Sequence, residues 1–178
     1  MSPNSKIVAV FGSARTPASS PEYAEAYAVG RLLARAGFVV MNGGYAGTME
    51  ASARGARENG GHSIGVLSDE FHRLEANPYV NETLTSPDLF SRIREMQSRA
   101  DAFIVLKGSM GTLAELALVW NLAKIDPRHR KPILLLGAGW ANLLRVMREQ
   151  LAVIDEDANL VQCVTTPAEA VEILSECL

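Results

Sequence analysis

The sequence predicts an α/β fold in three layers, a parallel sheet of six or seven strands with helices on both faces. Two observations carry this. Short apolar runs such as KIVAVF (residues 6–11) and AFIVL (residues 102–106) alternate along the chain with segments of helical period. Runs without polar alternation suit strands buried on both faces, the condition of a parallel sheet. Three of these runs are followed by glycine-containing loops, at Gly12, Gly43-Gly44 and Gly108 to Gly111. In a parallel sheet with right-handed crossovers such loops lie beyond the carboxyl ends of the strands, where ligands bind.

Taken in order, residues 6–11 are a first strand, left through Gly12-Ser13-Ala14-Arg15. Ser19 or Ser20 caps the helix of residues 22–36, whose apolar stripe is Tyr23, Ala26, Tyr27, Gly30, Leu32 and Leu33, and Gly37 ends it. A second strand (38–41) meets the loop Asn42-Gly43-Gly44-Tyr45-Ala46-Gly47-Thr48, and a helix (49–58) and third strand (62–67) follow. Residues 68–78, with Glu70, Arg73 and Glu75, form a charged loop. Residues 79–84 alternate weakly, as a fourth strand. Ser86-Pro87-Asp88 reads as a helix start, Ser capping and Pro in the first turn, for a helix ending near Arg99. After the strand of residues 102–106 come a helix, a basic loop (126–131), a strand (132–136), a helix (140–151), a short strand (161–164) and a closing helix (167–176) capped by Thr166.

The chain is organised around residues 101–115, DAFIVLKGSMGTLAE. A buried strand, the turn Lys107-Gly108-Ser109-Met110-Gly111-Thr112 and a helix with Leu113, Leu116, Ala117 and Trp120 on one stripe follow each other. Such an arrangement turns unpaired N–H groups and a positive helix end toward an anion. Thr112 and Glu115 also have the spacing of a capping box, and the stretch alone does not choose between capping and phosphate binding. The loop is neither a P-loop nor GxGxxG. On the preceding helix Arg92, Glu95, Met96 and Arg99 recur at i, i+3, i+4 and i+7, either as a solvated face of intrahelical pairs or with Arg92 turned to the loops as an anion clamp.

Composition bounds the function. The 178 residues suffice for one domain, residues 1–178, with a substantial core. A net charge of −3 speaks against nucleic acid as partner and for a small ligand at a local positive site. Cys163 and Cys177 make no disulfide or zinc framework, and His62, His72 and His129 have no ligand spacing, so no metal is expected. With no apolar run of membrane length and no signal-like pattern at Met1, no membrane partner is expected and a cytoplasmic location is.

Together these motifs resemble the Lonely Guy family of phosphoribohydrolases, often labelled lysine decarboxylases, within a superfamily of Rossmann-like nucleotide binders. Val10-Phe11-Gly12-Ser13-Ala14 is similar to its opening VFGSS loop, and residues 42–47 to its GGG-x-x-G loop. Arg92, Met96 and Asp101-Ala102-Phe103 fall in step with its Arg, Met and DAF. Residues 107–115 lie over its PGG-x-GT-x-x-E. The likeness runs from the first strand to about Lys131-Pro132. It implies hydrolysis of the N-glycosidic bond of AMP or an N6-modified, cytokinin-type nucleoside 5′-monophosphate, giving free base and ribose 5-phosphate. Glu115 and Arg92 then correspond to the catalytic pair. Gly108, Gly111 and Thr112 correspond to phosphate binders, and Ser109 keeps a small side chain and a backbone N–H there. Gly12, Ser13, Gly43 and Gly44 complete the expected nucleotide site. Neither cofactor nor metal is implied, and the usual assembly is a homodimer, for which Leu113, Leu116, Leu118 and Trp120 offer apolar surface.

This chain departs from the pattern at Lys107 and Ser109, in place of Pro and Gly, at Leu89-Phe90, in place of Met-His, and at Glu50, where a small residue is usual. The departures keep a second class open, a nucleotide or molybdenum-cofactor carrier of the same fold that binds without turnover. Lysine decarboxylation is excluded, since Lys107, Lys124 and Lys131 lack the setting of a pyridoxal-phosphate lysine.

Overall fold

Strands β1 (Ile7–Phe11), β2 (Val39–Asn42), β3 (Ser63–Ser68), β4 (Glu82–Ser86), β5 (Ala102–Val105), β6 (Ile133–Leu136) and β7 (Gln162–Val164) form one seven-stranded sheet in the order β4-β3-β2-β1-β5-β6-β7. They are seen in a computed structural model that describes residues 5–71 and 75–178. Each pairing is parallel. The reading of the chain start at Met1 to Asn4, and His72 and Arg73 of the charged loop, lie outside the described residues.

Alternation within the central strands shows why they read as unbroken apolar runs. Val8 and Val10 of β1, Ala102 and Ile104 of β5, and Leu134 and Leu136 of β6 enter one core. Ala9, Phe11, Phe103, Val105, Ile133 and Leu135 enter the other. Every position is therefore buried. Phe11 and Phe103 stack in the second core with centroids 5.6 Å apart.

Helices α1 (Pro21–Arg35), α2 (Thr48–Arg57) and α7 (Pro167–Cys177) cover the first core; α3 (Leu89–Arg99), α4 (Met110–Ile125) and α5 (Ala138–Gln150) cover the second. A one-turn 3-10 helix (Asp69–Phe71) follows β3. A short helix, α6 (Asp155–Ala158), precedes β7 and was not anticipated; its four residues, DEDA, carry no apolar period. Helices α1 and α2 touch backbone to backbone: a Cβ on Gly30 would stand 2.0 Å from the Ser52 carbonyl oxygen, and one on Gly55 2.1 Å from that of Tyr27. This contact sets α2 close against α1.

Helix starts differ from the sequence reading where two caps compete. For α3 the cap is Asp88, whose carboxylate accepts from Ser91 N at 2.8 Å, while Ser86 belongs to β4. For α4 the cap position is Ser109, so Thr112 lies inside the first turn and the Thr112–Glu115 capping box is not formed. Ser20 and Thr166 cap α1 and α7 as expected. Among the described residues no helix is long and apolar enough to cross a membrane.

Candidate functional site

The chain reverses its lateral direction between β1 and β5, and loops leaving neighbouring strands part there. Beside this point lies a cavity of about 480 Å3 lined by Gly12, Ala14, Arg15, Tyr45, Met49, Phe71, Leu89, Arg92, Ser109, Gly111, Thr112 and Glu115. It thus gathers residues from the segments that follow β1, β2, β3 and β5 and from the starts of α2, α3 and α4.

On its floor Arg92 and Glu115 form a buried ion pair. Arg92 Nη1 donates to Glu115 Oε1 at 3.1 Å, with side-chain exposures of only 5% and 9%. Arg92 Nε donates to the Val66 carbonyl at 2.6 Å, so strand β3 holds the guanidinium from behind. Its Cζ lies 5.8 Å from the Tyr45 ring centre and 5.9 Å from that of Phe71. Burial pushes the Glu115 carboxyl above the usual carboxylate range, and the attraction and hydrogen bond of Arg92 pull it partly back. A carboxyl in this state is suited to exchange a proton or to stabilise a positive centre in the cavity.

The α4 start forms another wall. Ser109 makes no side-chain cap, and the first-turn N–H groups of a helix have no intrahelical acceptors. With the helix dipole they form an anion-accepting rim. Thr112 adds a hydroxyl that is 2% exposed and, among the described residues, has no hydrogen-bond partner. The Arg15 side chain is exposed at the mouth, in no ion pair among the described residues.

The expected site residues divide into four groups. Arg92, Glu115, Gly12, Ser109, Gly111 and Thr112 line the cavity together. Gly43 abuts them from beneath: a Cβ there would lie 1.9 Å from Arg92 Nη2, so a side chain would dislodge the guanidinium. Ser13 and Gly108 border an adjoining hollow with Lys107 and Glu22. Gly44 faces the sheet at Gly65 and Leu67, its N–H taken by Asn42 Oδ1 and its carbonyl by Asn77, and lines no part of the cavity.

Sequence reasoning missed Tyr45, Met49 and Phe71 of the apolar wall, which Leu89, singled out only as a departure, completes. Glu50, a departure of open role, accepts a hydrogen bond from the Tyr23 hydroxyl at 2.9 Å and is half-buried between α1 and α2. The single face assigned to Arg92, Glu95, Met96 and Arg99 is split: Arg92 and Met96 are buried, while Glu95 and Arg99 pair in solvent. Among the described residues no cluster of three His, Cys, Asp or Glu is placed to hold a metal ion.

Comparison with known proteins adds the family. Residues 5–171 match the SLOG cluster4 family. A cytokinin riboside 5′-monophosphate phosphoribohydrolase of Mycobacterium marinum is 34% identical over 148 residues, 82% of this chain and 78% of that protein. Among solved structures, the molybdenum cofactor binding protein of Rippkaea orientalis superposes with a TM-score of 0.78 at 23% identity, over 98% of each chain. The molybdenum cofactor carrier protein of Chlamydomonas reinhardtii gives 0.72 at 24% identity over 97% of each. These two share the fold.

Proposed function

The chain belongs to the SLOG cluster4 family, and from that premise we propose that it is a phosphoribohydrolase acting on AMP or an N6-modified AMP of the cytokinin type. The observation that carries the reading is the buried Arg92–Glu115 pair facing an uncapped helix start across one cavity. The 5′-phosphate sits on the first turn of α4, with Ser109, Gly111 and Thr112 contributing N–H groups and the Thr112 hydroxyl filling its open valence. Gly12 lines the cavity beside them, with Ser13 and Gly108 at the edge.

Held in this way, the ribose has C1′ near Glu115. Cleavage of an N-glycosidic bond passes through a ribose of oxocarbenium character, which an adjacent carboxylate stabilises. Glu115 also orients or deprotonates the attacking water. Arg92 keeps the Glu115 carboxylate in place and offers a donor toward the departing base. Because the phosphate and the carboxylate share one helix, their spacing is set before substrate arrives.

A second reading, a carrier that binds a nucleotide or molybdenum-cofactor ligand without turnover, draws support from the two binding proteins that superpose along nearly the whole chain and from Leu89-Phe90 in place of Met-His. Its phosphate rim would be the same. The experiment is incubation with AMP and N6-substituted AMP, followed by chromatography for free base. Release of base supports hydrolysis; saturable binding without release moves the protein to the carrier reading.

The assembly belongs to the proposal too. Leu116 and Trp120, offered above as dimer surface, lie in the core. Leu113 of that set is exposed, and with exposed Met110 and Ile125 on α4 and Leu143 and Val146 on α5 it offers apolar surface for a homodimer.

A further inference from the structure

We propose that Phe71 is the platform on which the base of the bound nucleotide stacks, and that Glu70 positions it; the inference rests on the nucleotide reading above. The cavity has two chemically distinct sides. Its polar side is the α4 start with Arg92 and Glu115, and its apolar side is Tyr45, Met49, Phe71 and Leu89. A nucleoside monophosphate has the same division, a charged phosphate at one end and a flat base at the other. With the phosphate on α4, the base reaches the apolar side.

Of the two rings that line the cavity among the described residues, Phe71 is the open one. Tyr45 is 7% exposed, and its hydroxyl is engaged with the Ser68 backbone, accepting from N at 3.0 Å and donating to O at 3.4 Å. Phe71 stands edge-to-face on Tyr45 at 6.0 Å and remains 42% exposed. Its inner side is toward the Arg92 guanidinium, so the ring links the ion pair to the cavity mouth. A phenyl ring left partly in water beside a cavity gains by covering from a flat partner.

The ring is also anchored. Glu70 Oε2 accepts from the N–H of Leu89, the first residue of α3, at 3.0 Å. This bond ties the Asp69–Phe71 turn to the helix that carries Arg92, and the carboxylate suits the positive helix end. Platform and ion pair are thereby held in one frame. A two-ring purine overlaps such a ring more fully than a one-ring pyrimidine does, so the device selects purine nucleotides. Leu89, beside it, accepts an apolar substituent on the base.

The test compares two ligands that differ by the base alone, AMP and ribose 5-phosphate, by calorimetric titration of the full chain. Phe71→Ala should weaken AMP by about 10- to 100-fold, the scale of one base–aromatic contact, and leave ribose 5-phosphate unchanged. Phe71→Trp should restore AMP binding. Glu70→Ala should weaken AMP alone and by less, while Glu70→Gln, which keeps the acceptor, should bind as the wild type does. In turnover the Phe71→Ala effect should fall on KM and spare kcat. Phe90→Ala, which removes a ring that is 73% exposed and outside the cavity lining, should change neither ligand. Unchanged AMP affinity in Phe71→Ala overturns the inference, and so does equal loss of both ligands, which marks a disturbed fold. Wild-type protein that binds neither ligand overturns the nucleotide reading and the inference with it.

Discussion

Helix α3 carries two arginine–glutamate pairs two turns apart, and they differ in nearly everything but chemistry. Arg99 bonds Glu95 on its own helix, with side chains 44% and 36% exposed. Arg92 reaches across to Glu115 of α4 at 5% and 9% exposure. The outer pair lies in water, where Coulomb attraction is weak and screened. For the inner pair, removal of two charges from water costs several kcal/mol per ion, which their attraction offsets only in part. A hydrophobic pair would hold α3 to α4 at less cost. Stability alone therefore does not account for the inner pair, which faces the cavity.

The largest expected effect comes from breaking the inner pair on one side. Arg92→Ala leaves the Glu115 carboxyl buried without its cation and the Val66 carbonyl without its donor. Such removals cost about 3–5 kcal/mol, readable in urea denaturation. Replacing both partners, as Arg92→Met with Glu115→Leu, should return most of that stability and still give no turnover. A double variant as unstable as Arg92→Ala would mean the pair serves the fold.

Next in size is Glu115→Gln, which keeps shape and removes charge. Single-turnover release of base at saturating nucleotide should fall by roughly two orders of magnitude, on the scale of one preorganised electrostatic group. Binding of AMP should persist. Equal rates in the two proteins would remove Glu115 from the chemistry.

The pH dependence sharpens the contrast. Burial raises the Glu115 pKa, so below its unfolded value the carboxyl is neutral in both states and its contribution to stability is fully present. As pH rises through the raised folded value, that contribution is lost, because ionisation then favours the unfolded chain. In the proposed mechanism turnover runs the other way, since there the working form is the carboxylate. The wild type should show an acid limb in kcat/KM above the usual carboxylate range, absent from Glu115→Gln, and over that interval should lose stability relative to the variant. A limb shared by both proteins would assign it to another group.

The two pairs also show what sequence conveys. The i, i+4 partners Glu95 and Arg99 are legible because both ends lie on one helix. Arg92 and Glu115 are 23 residues apart, and no periodicity joins them; resemblance to a family put them together. The sheet was legible because its central strands are buried on both faces and read as unbroken apolar runs. Edge strand β4 carries Glu82, Thr83 and Thr85, so its start was misplaced by three residues, 79 against 82. Thr112 looked like a cap because Thr-x-x-Glu is the local signature. The helix starts earlier, and both residues line the cavity instead. Phe71 sits in a stretch without pattern, and only the fold of β3 against α3 brings it to the site.

The smallest expected effect is on the outer pair, and its two halves should not be equal. In Glu95→Ala the helix loses an i, i+4 contact in the better orientation, acid before base, worth about 0.3–0.5 kcal/mol. Arg99→Ala loses the same contact and also a cation in the last turn, where the helix dipole favours positive charge by about 0.3–1 kcal/mol. Arg99→Ala should therefore be the more destabilising of the two, and high salt should bring both toward the wild type, because screening acts on pair and dipole alike. Neither should alter release of base, since neither side chain lines the cavity. A double-mutant cycle giving a coupling above about 1 kcal/mol would place the outer pair beyond ordinary exposed pairs and erase the distinction drawn between them.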